Sequence, residues 1–165
     1  MNERIIEKLD RCIQQGSLSA LYRRMARYGD AGELLRDALS EIQEQCILSH
    51  EGLVLTPKYL FDFTGSKGDV IPLQSALWVF RLQDMHYSLS ERREVMYYSM
   101  RIYTITGDKF VLKNRAKEDL DAVEEILTDR YPNFFYGYSE EHDHMVHYIL
   151  EENTKELKAL KKQKK

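Results

Sequence analysis

Gly52-Leu-Val-Leu-Thr-Pro-Lys-Tyr-Leu-Phe-Asp-Phe-Thr-Gly65 is the stretch that decides the fold class, together with Asp69-Val-Ile-Pro-Leu73 and Ala76-Leu-Trp-Val-Phe80. Up to about Gln45 the apolar residues recur at helical spacing. Beyond it they fall into short alternating runs separated by Gly and Pro, as antiparallel strands joined by turns do. Tyr59, Phe61 and Phe63 alternate with Leu60 and Asp62, which suits a strand with one buried face. The pattern predicts an α+β domain whose residues 46–113 form an antiparallel sheet of about six or seven strands, covered by a helix through Leu120 and Leu127.

Working outward, Ile5, Ile6, Leu9, Cys12 and Ile13 form one helical stripe that Gly16 would end. A shorter helix follows, with Leu18, Leu21, Tyr22 and Met25 inward and Arg23, Arg24 and Arg27 on a solvated face. Asp30 and Glu33 resemble a capping pair ahead of Leu34, Leu35, Ala38, Leu39 and Ile42. Gly65 to Gly68 reads as a turn, Asp84 to Arg93 as a polar loop, and Glu94 to Thr104 as a long strand. Thr106-Gly-Asp-Lys109 is a hairpin turn leading back through Phe110 to Leu112. Phe134 to Tyr138 reads as an aromatic connector. Ser139 then caps a last helix whose apolar positions are Met145, Tyr148, Ile149, Leu157 and Leu160. The expected organisation is a helical extension over residues 1–45, a sheet domain over 46–138, and a helix with a lysine-rich tail over 139–165. Trp78 and Leu127 are expected to share one core.

The chain has 165 residues and is 43% hydrophobic, enough for a sizeable core. A net charge of −3 supplies no global field to draw in nucleic acid. No apolar run approaches the roughly 20 residues of a membrane span. The charged start, Met1-Asn-Glu-Arg-Ile-Ile-Glu-Lys8, lacks the apolar segment of a signal peptide, so a cytoplasmic location is expected. Cys12 and Cys46 match no zinc or redox spacing and read as reduced, partly buried thiols.

Leu53-Val-Leu-Thr-Pro-Lys-Tyr-Leu-Phe61 resembles the opening hairpin of bacterial PH-like and GRAM-like domains. Ile71-Pro-Leu73 with Ala76-Leu-Trp-Val79 resembles their next strands, Arg101 to Leu112 their penultimate hairpin, and Leu120 to Pro132 their capping helix. The order of Phe63 to Gly65, Trp78, Gly107 and Gly137-Tyr138 also resembles uncharacterised proteins of Gram-positive gut bacteria. The resemblance spans residues 46–138 and implies a PH-like sheet or barrel. Such folds host lipid binders, phosphotyrosine readers and protein adaptors, so it implies no single function.

Glu140-Glu-His-Asp-His-Met-Val-His147 is the densest cluster of metal-ligand types. Glu141, His144 and His147 lie three apart and can share a helical face, but one turn supplies too few ligands and no second copy of the motif exists. Ser66 lacks the spacing of a phosphate loop, and Cys12 and Cys46 sit in apolar surroundings that suit inert thiols. No constellation of nucleophile, base and orienting group is present, so neither catalysis nor a cofactor is expected. Lys58, Arg92 and Arg93 are the candidate binding-surface residues. The expected function is a non-enzymatic module for a protein or peptide, with a second copy of the chain as one partner. The alternative is a peripheral lipid-headgroup binder using Lys58, Arg92, Arg93 and the lysines at 161–165, although its basic groups are too few to clamp an inositol phosphate. A metal-dependent enzyme ranks last.

Overall fold

A computed structural model describes residues 3–64 and 68–163, without the side chain of Lys161. Gly65, Ser66 and Lys67 of the expected turn, and the last two lysines, lie outside the described residues. The fold is mixed α+β, with five α-helices and two four-stranded sheets among the described residues, in two compact units, Met1–Ser75 and Ala76–Lys165.

The first unit opens with α1 (Glu3–Gln15), a 3-10 turn (Gly16–Leu18), α2 (Ala20–Met25) and α3 (Ala31–Gln45). Gly16 stops α1 with a φ of 57°, where a side chain would strain the backbone. The Asp30 carboxylate caps α3 by accepting the Glu33 N–H at 3.0 Å, as the sequence predicts. Strands β1 (Leu48–His50), β2 (Leu53–Leu55), β3 (Tyr59–Asp62) and β4 (Asp69–Pro72) form an antiparallel meander in that order. Pro72 ends the edge strand, where a missing N–H costs least.

Leu9, Leu21, Met25, Leu35, Ala38 and Ile42 from the helices pack with Val54, Tyr59, Phe61 and Val70 from the sheet. The alternate residues Leu53, Leu55, Leu60 and Ile71 are fully buried as well. Burial on both faces explains why these strands read as nearly continuous apolar runs. Two side chains depart from the expected α2 pattern. Leu18 is 83% exposed, because the 3-10 turn ends there and α2 begins only after the Ser19 cap. Arg24 turns inward, its Nε 3.2 Å from Asp69 Oδ1, so it leaves the solvated face assigned to Arg23 and Arg27.

The second unit contains β5 (Ala76–Ser88), β6 (Arg93–Thr104), β7 (Lys109–Arg115), α4 (Lys117–Arg130), β8 (Phe135–Tyr136) and α5 (Glu140–Gln163). The sheet order is β7-β6-β5-β8, antiparallel except for the parallel β5–β8 pair. A single sheet of six or seven strands is therefore corrected to eight strands in two open sheets, and no closed barrel ladder forms among the described residues. The additional strand is β8, inside the aromatic connector. Backbone pairing puts it there, with the Gly137 N–H donating to Val79 O at 2.9 Å, and the Trp78 indole reinforces it, Nε1 donating to Gly137 O at 2.8 Å.

The Thr106 to Lys109 turn forms as predicted, with Gly107 at a φ of 86°. Trp78, Phe80 and Val146 make a buried cluster, flanked by Tyr103, Phe135 and Leu150. Leu127 is fully buried on α4 but is not part of that cluster, which corrects the expected Trp78–Leu127 core. On α5 the inward residues are His142, Val146 and Leu150, four apart. Met145, Tyr148, Leu157 and Leu160 face solvent instead of forming the expected stripe. The sheet meets the helix one residue round from where composition alone places it. Leu127→Ala should lower stability by about 2–5 kcal/mol, as truncation of a buried leucine does. An unchanged urea midpoint would show that α4 does not bury this residue.

Candidate functional site

Strands β5 and β6 pair without interruption from Trp78↔Tyr103 to Ser88↔Arg93. Only the near half of this ladder has neighbours. Strand β8 pairs with Trp78 and Val79, and β7 pairs with residues from Tyr98 to Tyr103. The positive φ of Asn114, 53°, accompanies a register shift at the β6–β7 pairing, where the flanking strand ends. Beyond this point Gln83–Ser88 and Arg93–Tyr97 form a two-stranded ribbon with both outer edges unpaired within the described sheet.

The residues expected to be a polar loop at Asp84 to Arg93 are therefore mostly strand and only Leu89 to Arg92 turn. Polar side chains are compatible with strand because the ribbon is exposed and each strand's inner backbone groups pair with its partner. His86 Nε2 lies 2.7 Å from Asp84 Oδ2, and its ring stands 5.6 Å from that of Tyr97. The tip is closed by the Ser88 hydroxyl, which accepts the Glu91 N–H at 3.3 Å. Arg92 takes a φ of 54° to complete the reversal.

Cross-strand pairs share a face, so register assigns the ribbon's surfaces. One face carries Gln83 with Tyr98, Met85 with Met96, and Tyr87 with Glu94. Met85 is 52% exposed, Tyr87 61%, and Leu89 at the tip 86%. This is an adaptable apolar surface of thioethers and phenol rings, residue types enriched where proteins meet. The opposite face carries Asp84 with Tyr97, His86 with Val95, and Ser88 with Arg93. An isolated two-stranded ribbon is marginally stable in water, and unpaired edges invite a further strand. The alternation of Met85 and Tyr87, mirrored by Met96 and Tyr98 across Leu89 to Arg92, is the sequence signal of this face, masked by the polar residues that alternate with it.

The singled-out basic residues belong to different units. Arg92 and Arg93 lie at the ribbon tip, and Arg93 Nε is 3.2 Å from Glu91 Oε2. Lys58 belongs to the first unit, where Nζ stands 2.9 Å from Asp37 Oδ2 and 3.4 Å from Glu41 Oε2. Its own N–H donates to the buried Glu41 carboxylate at 3.0 Å, and the Tyr59 hydroxyl donates to Asp37 at 2.8 Å. The hydrogen bond from Lys58 holds the Asp37 carboxyl below its ordinary range, with Tyr59 adding to it against partial burial. The same bond raises the Lys58 ammonium. Burial pushes the Tyr59 phenol up, and the Asp37 bond pushes it further. Lys58 thus ties α3 to β3.

Ser139 Oγ accepts the His142 N–H at 3.0 Å, capping α5 as expected. Among the described residues, the ligand atoms of Glu141, His144 and His147 do not gather within 4.8 Å of one another. His147 Nδ1 instead approaches Asp143, 2.7 Å from its backbone oxygen and 3.2 Å from Oδ1. Cys12 is buried, Cys46 is half-buried, and no disulfide joins them. No described helix is long and apolar enough to cross a membrane.

Residues 49–146 match the family described as Domain of unknown function (DUF6709), and the chain belongs to that family. No curated protein and no solved structure matches the chain.

Asp37→Asn should reduce stability at neutral pH by about 1 kcal/mol or less, because Lys58 is largely exposed and water screens the pair. A depressed carboxylate pKa stabilises the fold above the unfolded value and loses that effect as pH falls through the folded value. The urea midpoints of wild type and variant should therefore converge in acid. A gap that stays constant with pH would rule out this ionic contribution.

Proposed function

We propose that this protein is a non-enzymatic cytoplasmic binding module that captures an extended segment of a partner protein along the β5–β6 ribbon. One observation carries the reading: Met85, Tyr87 and Met96 share a face between two unpaired strand edges, with Tyr98 next to them on the same face where β7 joins. An added strand would satisfy edge backbone groups while its alternate side chains pack on the thioethers and rings. The partner segment is accordingly extended, with apolar residues at alternate positions. A PH-like or GRAM-like architecture is part of the proposal, supported by the chain order of meander, long hairpin, further strand and α4.

The lipid-headgroup reading draws on Leu89 and Arg92 at the tip. Against it, Arg93 pairs with Glu91 and Lys58 with Asp37 and Glu41, so two of the nominated cations already meet carboxylates. Selection from a library of extended peptides should enrich alternating apolar sequences. Met85→Ser combined with Met96→Ser should weaken the selected peptides about tenfold, roughly 1.4 kcal/mol, without changing the melting temperature. Failure to enrich such peptides would overturn the reading. Co-sedimentation with phosphatidylserine vesicles that is lost in Arg92→Ala would favour the lipid surface.

A further inference from the structure

The first unit holds a shallow, solvent-open cavity of about 510 Å³ beside α1, the 3-10 turn and α2. Three cations line it, Lys8 and Arg11 from α1 and Arg23 from α2, and no carboxylate is among its described lining residues. This concentration of positive charge occurs in a chain of net charge −3. Helical spacing produces it: Lys8, Arg11 and Gln15 follow at i, i+3 and i+7 on one face, Glu3 and Asp10 fall on the far side, and Glu7 stands beside Arg11 at i,i+4 but outside the lining.

Two cations are held in place by the fold. Lys8 Nζ lies 5.3 Å from the centre of the Phe63 ring, itself stacked on Phe61. Arg23 Nη1 donates to Ser17 O at 2.7 Å, which fixes one corner of its guanidinium. Leu18, the exposed leucine displaced from the α2 stripe, also lines the cavity. Its exposure and the cation cluster are two separate departures from an ordinary solvated helix face, and they meet at one place. Cys12 lies among the lining residues while only 7% exposed.

We propose that this cavity binds a phosphorylated small molecule, with its phosphate between Arg11 and Arg23, Lys8 adding positive charge nearby, and its organic part against Leu18. A phosphomonoester carries close to two negative charges at neutral pH, and guanidinium groups match its oxygens in pairs. The cavity falls within the roughly 300–1,000 Å³ range of small-molecule sites and has room for more than inorganic phosphate. The site is independent of the ribbon.

Calorimetric titration of the full chain with glucose 6-phosphate, inorganic phosphate and glucose tests it. Glucose 6-phosphate should bind more tightly than inorganic phosphate, and glucose should not bind. Arg11→Gln and Arg23→Gln should each weaken binding about tenfold, roughly 1.4 kcal/mol, with unchanged melting temperatures. Arg11 is exposed, so its variant keeps the test valid if Arg23→Gln fails to fold. The ligand should also slow alkylation of Cys12, followed by peptide mass spectrometry, while Met85→Ser should leave its affinity unchanged. No binding of glucose 6-phosphate, or equal binding of glucose 6-phosphate and inorganic phosphate unaffected by Arg11→Gln, would overturn the proposal. So would binding confined to phosphatidic acid vesicles, which would place the phosphate on a lipid surface.

Discussion

The β5–β6 ladder is the constraint on which the second unit depends. Its backbone bonds continue after the flanking strands have stopped, so one pair of strands serves two environments. Near Trp78 the ladder is a core element, with Phe80 and Val146 packed beside it. Near Ser88 it is a solvent-exposed ribbon. Other contacts are referred to the buried end: Trp78 holds Gly137, and Arg81 reaches the carboxylates of Asp121 and Glu124 on α4. Shortening the ladder would remove the exposed methionines and tyrosines without emptying the core.

The first unit is organised by apolar burial on both faces of its meander, with a charged fastening at one side. The Asp37, Glu41, Lys58 and Tyr59 network is a means of placing α3 against β3, because the buried Glu41 carboxylate needs the donors that Lys58 supplies. Arg24 plays a related part with Asp69. Burial raises the Asp69 carboxyl despite that cation, which shows desolvation outweighing the attraction. Charges that look available in a sequence can thus be structural, while Lys8 and Arg11, unremarkable in a charged first helix, line a cavity.

Local chemistry made much of the architecture legible. Gly16, Asp30, Ser139 and Gly107 act within a few residues of themselves, so their stops, caps and turn could be read directly. The meander strands were equally readable from their apolar runs. The candidate ribbon was not, since Asp84, His86 and Ser88 carry a loop's composition and gain strand geometry only by pairing with residues 93–97.

The sequence by itself determined the Gly16 stop, the Asp30 and Ser139 caps, the meander, the Thr106 to Lys109 turn and the apolar content of α4, because each depends on nearby residues and on periodicity. Tertiary structure alone decided that β8 forms within the connector, that Val146 rather than Met145 or Tyr148 faces the sheet, and that Lys58 meets Asp37 and Glu41. Those outcomes rest on backbone bonds and packing between residues distant in the chain, where a strand's register or a helix's rotation selects the partner. A shift of one residue turns a different set of side chains inward, and composition does not encode which shift the packed chain adopts.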